Sequence, residues 1–530
     1  MKHSRINRIL PLLLALLLTA GILFGCRAPG AADNIAPTAA ETEPTETEPE
    51  QQSPFGLSFI SEYGFNPYKC TCVTNRPIIS LVFESLFVVN EEFQPEPVLC
   101  DTFGVSQDGL TYLICLKEDA CFSDGTPVTA YDVVASLRAA SDSAYYGDRF
   151  RFVRSFSAYD EKTVRIDLST PYENLPLLLD VAITKNGTAN DSRPIGSGPF
   201  CFDLVRTQLH RNRRWWQGTY SLIEGNAVLL QETSAPIEVR DNFEFGNTNL
   251  VLADPNSAAS VGYRCDYELW NCNTTVMQYL GFNIYSGVFA SRDLRMAITY
   301  LIDRETVCTK LFNGFAVPAS LPCSPCCGLY DRELAEKYAY APEEYLQRMK
   351  NIPVNSTVRL VVWSADYYRV ALANTLVDAF APYGLNVRVE AVDYDTYKTR
   401  LQNGNFDMFI GEVRLSNDFD LYPFFSETGT LNFGAVADSE AVRLSKLALA
   451  NSGNAYDLYE YIMEHGLICP ILFKSYAVMA SRGSIPTLQP AVDDVFHLPG
   501  GRTLASAGVT FEEAAAGAES ETEPETEPEN

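Results

Sequence analysis

Histidine is nearly absent from this chain. Its 530 residues hold four, and one of them, His3, lies in the extreme N-terminus. His210, His465 and His497 are scattered, and nothing in their spacing pairs them as ligands for nickel or zinc. The fourteen cysteines do not supply a metal site either. Cys70-x-Cys72 is too tight, and Cys323-x-x-Cys326-Cys327 has no second Cys/His pair at a zinc-site distance. Positive charge is also scarce. Forty Lys and Arg face 67 Asp and Glu, a net charge of -27, and a nucleic-acid binder needs a basic footprint that is missing here. There is no Walker A glycine loop, no His-Glu-x-x-His, no dinucleotide fingerprint and no Gly-x-Ser-x-Gly. Gly196-Ser197-Gly198 puts its serine directly between two glycines, so the hydrolase elbow fails. A cofactor-dependent or hydrolytic enzyme is not expected, and neither a metal nor a cofactor is called for.

Long apolar runs are missing too, except at the start. Lys2, Arg5 and Arg8 precede an apolar stretch from Ile9 to Phe24, and Leu23-Phe24-Gly25-Cys26 follows as a lipobox-like end. This is the pattern of a secretory signal, positively charged and then apolar, ending at a small-residue cleavage site. Cleavage before Cys26 would free its thiol for lipid attachment, which anchors a protein without a membrane-spanning helix. The alternative is a plain transmembrane anchor, for which the run is slightly short. Export permits disulfides. The cysteines are expected mainly as small buried residues, with one disulfide near Cys323 to Cys327 as the candidate. Two Glu-Thr-Pro tracts, Glu41 to Glu50 and Glu519 to Glu529, cannot bury apolar area and are expected to stay disordered.

Between these ends, strand and helix signals alternate, which gives an α/β class. Pro77 to Val89 (PIISLVFESLFVV) predicts a buried helix running into a strand. Asp108-Gly109 predicts a hairpin turn, with its returning strand at Leu110 to Leu116. Thr129-x-x-Asp132 reads as a capping box opening a helix from Tyr131 to Ala140. Pro194 to Phe200 is a constrained loop leading into a strand. Ser291 caps a helix whose inner face is Leu294, Ala297, Ile298 and Leu301. Val358 to Trp363, a helix from Tyr367 to Ala381 capped by Ser364, and Leu385 to Val392 form a βαβ unit with a parallel pair. That helix is expected to turn Val370, Ala373, Val377 and Phe380 inward. Phe406 to Gly411 is a further strand.

These blocks, in this order, resemble family 5 of the bacterial extracellular solute-binding proteins, the oligopeptide, dipeptide and nickel receptors of ABC importers. The resemblance is carried by Asp108-Gly109-Leu110-Thr111-Tyr112 with Phe122-Ser123-Asp124-Gly125 through Val133. Pro194 to Phe200, Tyr279 to Asn283, Arg295 to Ile298 and Ile302-Asp303-Arg304 extend it over nearly the whole body. It implies a bilobed periplasmic-binding-protein type 2 fold with an extra domain inserted in the first lobe. The domain division that follows is a signal at 1–26, a tether at 27–52, a first lobe with its insert at 53–283, a second lobe at 284–480, a return to the first lobe at 481–513 and an acidic tail at 514–530. It implies a monomeric receptor that closes on a peptide or another small polar ligand and docks on ABC permease subunits. Its place would be the outer face of the cell membrane, held by lipid at Cys26. A ligand-presenting signalling receptor, or a binder of a nickel chelate or sugar, stays open as the alternative.

The family's peptide binders hold the ligand ammonium with an Asp near a segment matching Gly411 to Phe425. Here Asn417 falls at that position, Asp418 lies one residue away, and Glu412 stands where a Trp is usual. Glu412 and Arg414 alternate on a strand end and project to one face. They are candidates to pair with the two ends of a zwitterionic ligand; the other reading has them pair with each other or with neighbours. Trp270 and Tyr63 are candidate cleft aromatics, with core packing as their other role. Trp215-Trp216 reads as structural.

Overall fold

In the computed structural model the chain divides into two units, Met1–Ser53 and Pro54–Asn530. The structure describes residues 54–257, 262–285, 287–352, 356–433, 436–498 and 504–520. The signal, Cys26, the tether and most of the acidic tail therefore lie outside the described residues. Among the described residues no helix is long and apolar enough to cross a membrane.

One mixed sheet runs through the second unit. Its strand order is Val387–Val392, Val358–Trp363, Met408–Arg414, Tyr267–Phe282, Ile468–Ser481, Leu250–Ala253, Phe55–Ile60, Ala227–Thr233, Gln208–Arg211 and Phe200–Phe202, with Ala316–Pro318 added on Ile468–Ser481. Two strands are far longer than the mean of five or six residues. Tyr267–Phe282 has 16 residues and Ile468–Ser481 has 14, and they pair antiparallel. Their register shifts between Asn273 and Met277 and again between Gln278 and Tyr279. On one side of this irregular stretch, Cys272, Tyr476, Val478 and Ala480 belong to a core with Phe55, Leu57, Ile78 and Phe200. On the other side, Met277, Leu280, Phe282, Ile471 and Phe473 belong to a core with Leu294, Ile298, Val361 and Leu376. The same two strands thus feed two separate cores, and the bulged stretch is their shared crossing.

A third core lies under a four-stranded antiparallel sheet in the order Cys100–Val105, Thr111–Leu116, Thr163–Leu168, Val153–Ala158, with helix Ala130–Ser141 against it. The local readings explain how it forms. Gly109 takes φ +70° at the hairpin turn, and Asp108 Oδ1 accepts from the Leu110 N–H at 3.0 Å. The Thr129/Asp132 capping box is present on both sides.

The βαβ unit is parallel, Val358 to Trp363 against Val387 to Val392. Its helix spans Tyr367–Phe380 and its cap is Asp366, not Ser364: the Asp366 carboxylate accepts from the Arg369 N–H at 3.0 Å. The start at Tyr367 is as expected, but the inner face is Leu372, Ala373, Leu376 and Phe380, with Val370 and Val377 only partly buried. The strand expected from Phe406 to Gly411 is Met408–Arg414, extended because it pairs with the long strand as far as Val276. The tail also begins later than expected at 514. Helix Phe511–Ser520 overruns that boundary, because Ala514 is buried and Gly104 gives room for Thr510, Phe511 and Ala514 to approach. Cys323, Cys326 and Cys327 are free thiols, so the candidate disulfide is not formed.

Candidate functional site

A cavity of about 600 Å³ opens where the first core, the third core and the segment 492–498 meet. Helix Arg76–Val82 starts at its wall, because Pro77 at the first turn needs no backbone partner there. The wall carries charged groups that are individually tied down.

Glu84 is the most heavily held. Its carboxylate accepts from the Trp215 and Trp216 indole N–H groups at 2.8 Å each, from the Gln217 amide at 2.7 Å and from the Ser197 hydroxyl at 2.7 Å. Burial still pushes its carboxyl above the ordinary range. Gly196 and Gly198 let the loop carrying Ser197 lie on the end of the Arg76–Val82 helix, since a Cβ on Gly196 would sit 2.1 Å from the Val82 carbonyl oxygen. Trp215 and Trp216 are therefore both structural, as read from the sequence, and part of the cavity wall.

On a second stretch of wall, Arg76 donates to Asp493 at 3.1 Å and to the Tyr145 hydroxyl at 3.1 Å. Arg149 pairs with Asp180 at 2.5 Å and lies over the Tyr146 ring. A third stretch holds His497, 3.6 Å from Glu96 and 4.0 Å from Asp494. His497 is buried, and its Nδ1 has no hydrogen-bond partner.

None of the six residues singled out as ligand contacts lines this cavity. Arg414 and Asn417 each touch a residue of its wall, Asp493 and Asp180. Arg414 pairs with Asp493 and donates to the Tyr476 hydroxyl at 2.7 Å. Glu412 does not pair with Arg414; it accepts from Gln278 at 2.8 Å and faces Lys474 at 3.5 Å, and Lys474 also holds Asp254 at 2.5 Å. The strand alternation is real, but each side chain meets a different neighbour. Asn417 and Asp418 are buried and join the second core to the third. Asn417 donates to Asp180 at 2.9 Å and to the Leu177 carbonyl at 3.2 Å, and Asp418 accepts from the Tyr172 hydroxyl. Asp420 adds an ion pair with Arg151, and burial raises its carboxyl to about 6. Phe93 and Phe419 stack their rings 5.0 Å apart beside them. Trp270 is half-buried on the long strand opposite Val478, and Tyr63 is 46% exposed on the turn Ser61–Tyr63.

Of the residues that line the cavity, the sequence drew attention to Trp215, Trp216 and His497 but marked none of them as a ligand contact. One signal was there: Glu84 is a lone carboxylate inside an otherwise apolar run, and such a group must find donors. Asp493 and Arg76 lie 417 residues apart, and no local pattern joins them.

Two cores bridged by a pair of long strands, with a polar cavity beside the crossing, define a two-lobed binding protein. The chain belongs to the bacterial extracellular solute-binding proteins, family 5, whose middle region matches residues 94–432. Among curated proteins it is similar to the glutathione-binding protein GsiB of Shigella flexneri serotype 5b, 22% identical over 350 residues that cover 62% of this chain and 67% of that protein. Among solved structures it is similar to the ABC transporter substrate-binding protein CtaP of Listeria monocytogenes, with a TM-score of 0.69 at 18% identity over 86% of this chain and 98% of the other. It is also similar to the periplasmic murein tripeptide-binding protein MppA in its unliganded open form, with a TM-score of 0.68 at 15% identity over 84% and 98%. The fold is the bilobed periplasmic-binding fold of these proteins.

Proposed function

We propose that the chain captures a short peptide in the cavity beside the strand crossing and presents it to the permease subunits of an ABC importer. It works as a monomer at the outer face of the cell membrane, tethered by lipid on Cys26. The observation that carries this reading is the cavity itself. Its volume of about 600 Å³ suits a small ligand, since such sites commonly span roughly 300–1,000 Å³. Its wall offers both signs of charge at fixed places: Arg76 and Arg149 on one stretch, Glu96 and Asp494 on another. A peptide carries both signs at its ends.

The names of the relatives support the same class, glutathione for one and a murein tripeptide for another. In this reading Arg414 acts on the cavity through Asp493. Asn417, Asp418 and Asp420 hold the second core against the third when the ligand is enclosed.

A thermal-shift screen against peptide pools, single amino acids, sugars and nickel tests the proposal. A ligand that binds only the folded state raises the melting temperature by mass action. Peptides should raise it. A rise with sugar or nickel alone would keep the receptor fold and discard the peptide assignment.

A further inference from the structure

We infer that Arg76 and Arg414, which share the single carboxylate of Asp493 beside the strand crossing, form a charge-gated latch that a ligand carboxylate completes. The inference rests on the reading that a solute is taken up in the cavity.

Arg76 comes from a helix of the first core and Arg414 from the end of a strand of the second. Both reach Asp493, one at each carboxylate oxygen. Their other hydrogen-bond partners among the described residues are neutral hydroxyls, Tyr145 for Arg76 and Tyr476 for Arg414. Asp493 itself is held by the crossing: its N–H donates to the Asn273 carbonyl at 3.1 Å, and its φ of +56° is a left-handed conformation that Asp tolerates better than most residues.

Neighbouring carboxylates are engaged elsewhere. Asp180 pairs with Arg149, Asp254 and Glu412 face Lys474, and Asp494 faces His497. Two guanidinium groups, 16% and 20% exposed, thus meet one carboxylate. Burial and Arg414 work against the Arg76 charge, while Tyr145, Asp493 and Tyr476 favour it and leave its guanidinium above the ordinary range.

A partly buried excess cation is costly unless an anion joins it. A guanidinium has five N–H donors, so both arginines keep donors to spare. Arg76 and Asp493 face the cavity. A carboxylate entering there matches the guanidinium fork with two parallel hydrogen bonds. Asp493 then neutralises Arg414, and the ligand neutralises Arg76.

The consequence concerns closure. Seating the second core on the first brings Arg414 toward Arg76, and two like charges oppose that step. A ligand carboxylate relieves the repulsion only in the closed form. This is the differential interaction that a ligand must have to shift a conformational equilibrium. The favoured ligand class is one with a free carboxylate facing Arg76, such as a peptide with an unblocked C-terminus.

Small-angle X-ray scattering of the protein, read as the closed-to-open ratio, tests this without knowing the ligand. Arg414→Met leaves Asp493 paired with Arg76 alone and should raise the ratio in the solute-free protein by about tenfold, within the usual range of coupling between sites. Asp493→Asn leaves two cations with no anion and should lower it. Arg76→Met serves as the second charge-removing variant if circular dichroism shows Arg414→Met unfolded. Sodium acetate should close the wild type more than sodium chloride at equal ionic strength. Unchanged ratios in the folded variants, or equal effects of acetate and chloride, would overturn the inference. Peptides retained in equilibrium dialysis with unmoved variants would sink the latch alone. Shifted variants with no peptide retained would sink the peptide reading alone.

Discussion

Replacing Glu84 with Gln tests how the cavity wall is held. The carboxylate accepts four hydrogen bonds from four donors and pairs with no cation among the described residues. A glutamine keeps one carbonyl oxygen, enough for two of those donors. Its NH2 group faces the other two; the Ser197 hydroxyl or the Gln217 amide can turn to accept from it, but an indole N–H cannot. A buried polar group left unsatisfied costs about 1–3 kcal/mol. Removing a buried charge offsets part of this, because burial already holds the Glu84 carboxyl above its ordinary range. The net expectation is about 1–2 kcal/mol, seen as a melting temperature lower by a few degrees.

The pH dependence has a fixed sign. A carboxyl whose folded-state pKa is raised favours the fold most at low pH, and that advantage is lost as pH rises through the raised value. The margin of wild type over Glu84→Gln should therefore narrow as pH increases. Tryptophan emission gives a second readout, since two of the four tryptophans donate to this carboxylate. A variant that melts with the wild type, with unchanged emission, would refute the reasoning. So would a margin that widens with pH.

Four further outcomes are expected. Gly196→Ala drives a Cβ to 2.1 Å from the Val82 carbonyl oxygen and 2.7 Å from the Phe83 ring, so a loss of about 3 kcal/mol is expected from overpacking against backbone, measured by urea unfolding. Arg295→Leu strips the partner from four carbonyls, those of Phe289, Ala290, His465 and Gly466; it should cost roughly 2–4 kcal/mol, and Ser291→Ala in the same helix about 1 kcal/mol for its lost cap. Burial lifts the Asp420 carboxyl from 3.8 to about 6, so the stability of wild type relative to Asp420→Asn should fall as pH rises through that interval; melting curves at successive pH values check it, and a rising difference would contradict the placement.

Much of the fold was legible because its signals are local. The Asp108-Gly109 turn, the Thr129/Asp132 box, the Ser291 cap and the parallel pair around helix Tyr367–Phe380 are each fixed by residues within a few positions of one another. The Ser364 cap went astray by two residues: both Ser364 and Asp366 are competent caps, and it is the Asp366 carboxylate that accepts from the Arg369 N–H. The tail boundary went astray because composition speaks for Glu-Thr-Pro repeats but not for an alanine-rich turn that finds Gly104 on another strand.

The candidate site was legible only in part. Alternation on the strand Met408–Arg414 placed Glu412 and Arg414 on one face, but their partners come from Gln278, Lys474, Tyr476 and Asp493. Asn417 and Asp418 stood out by position in the family pattern, yet they are engaged by the third core.

The sequence by itself determined the alternation of elements, their turns and caps, and the family to which they belong, since each depends on short-range sterics and hydrogen bonds. The tertiary structure alone decided that two long strands serve two cores, that Glu84 gathers four donors, and that Asp493 is shared by Arg76 and Arg414. Those arrangements join residues hundreds of positions apart, and which charges become neighbours follows from how the cores pack.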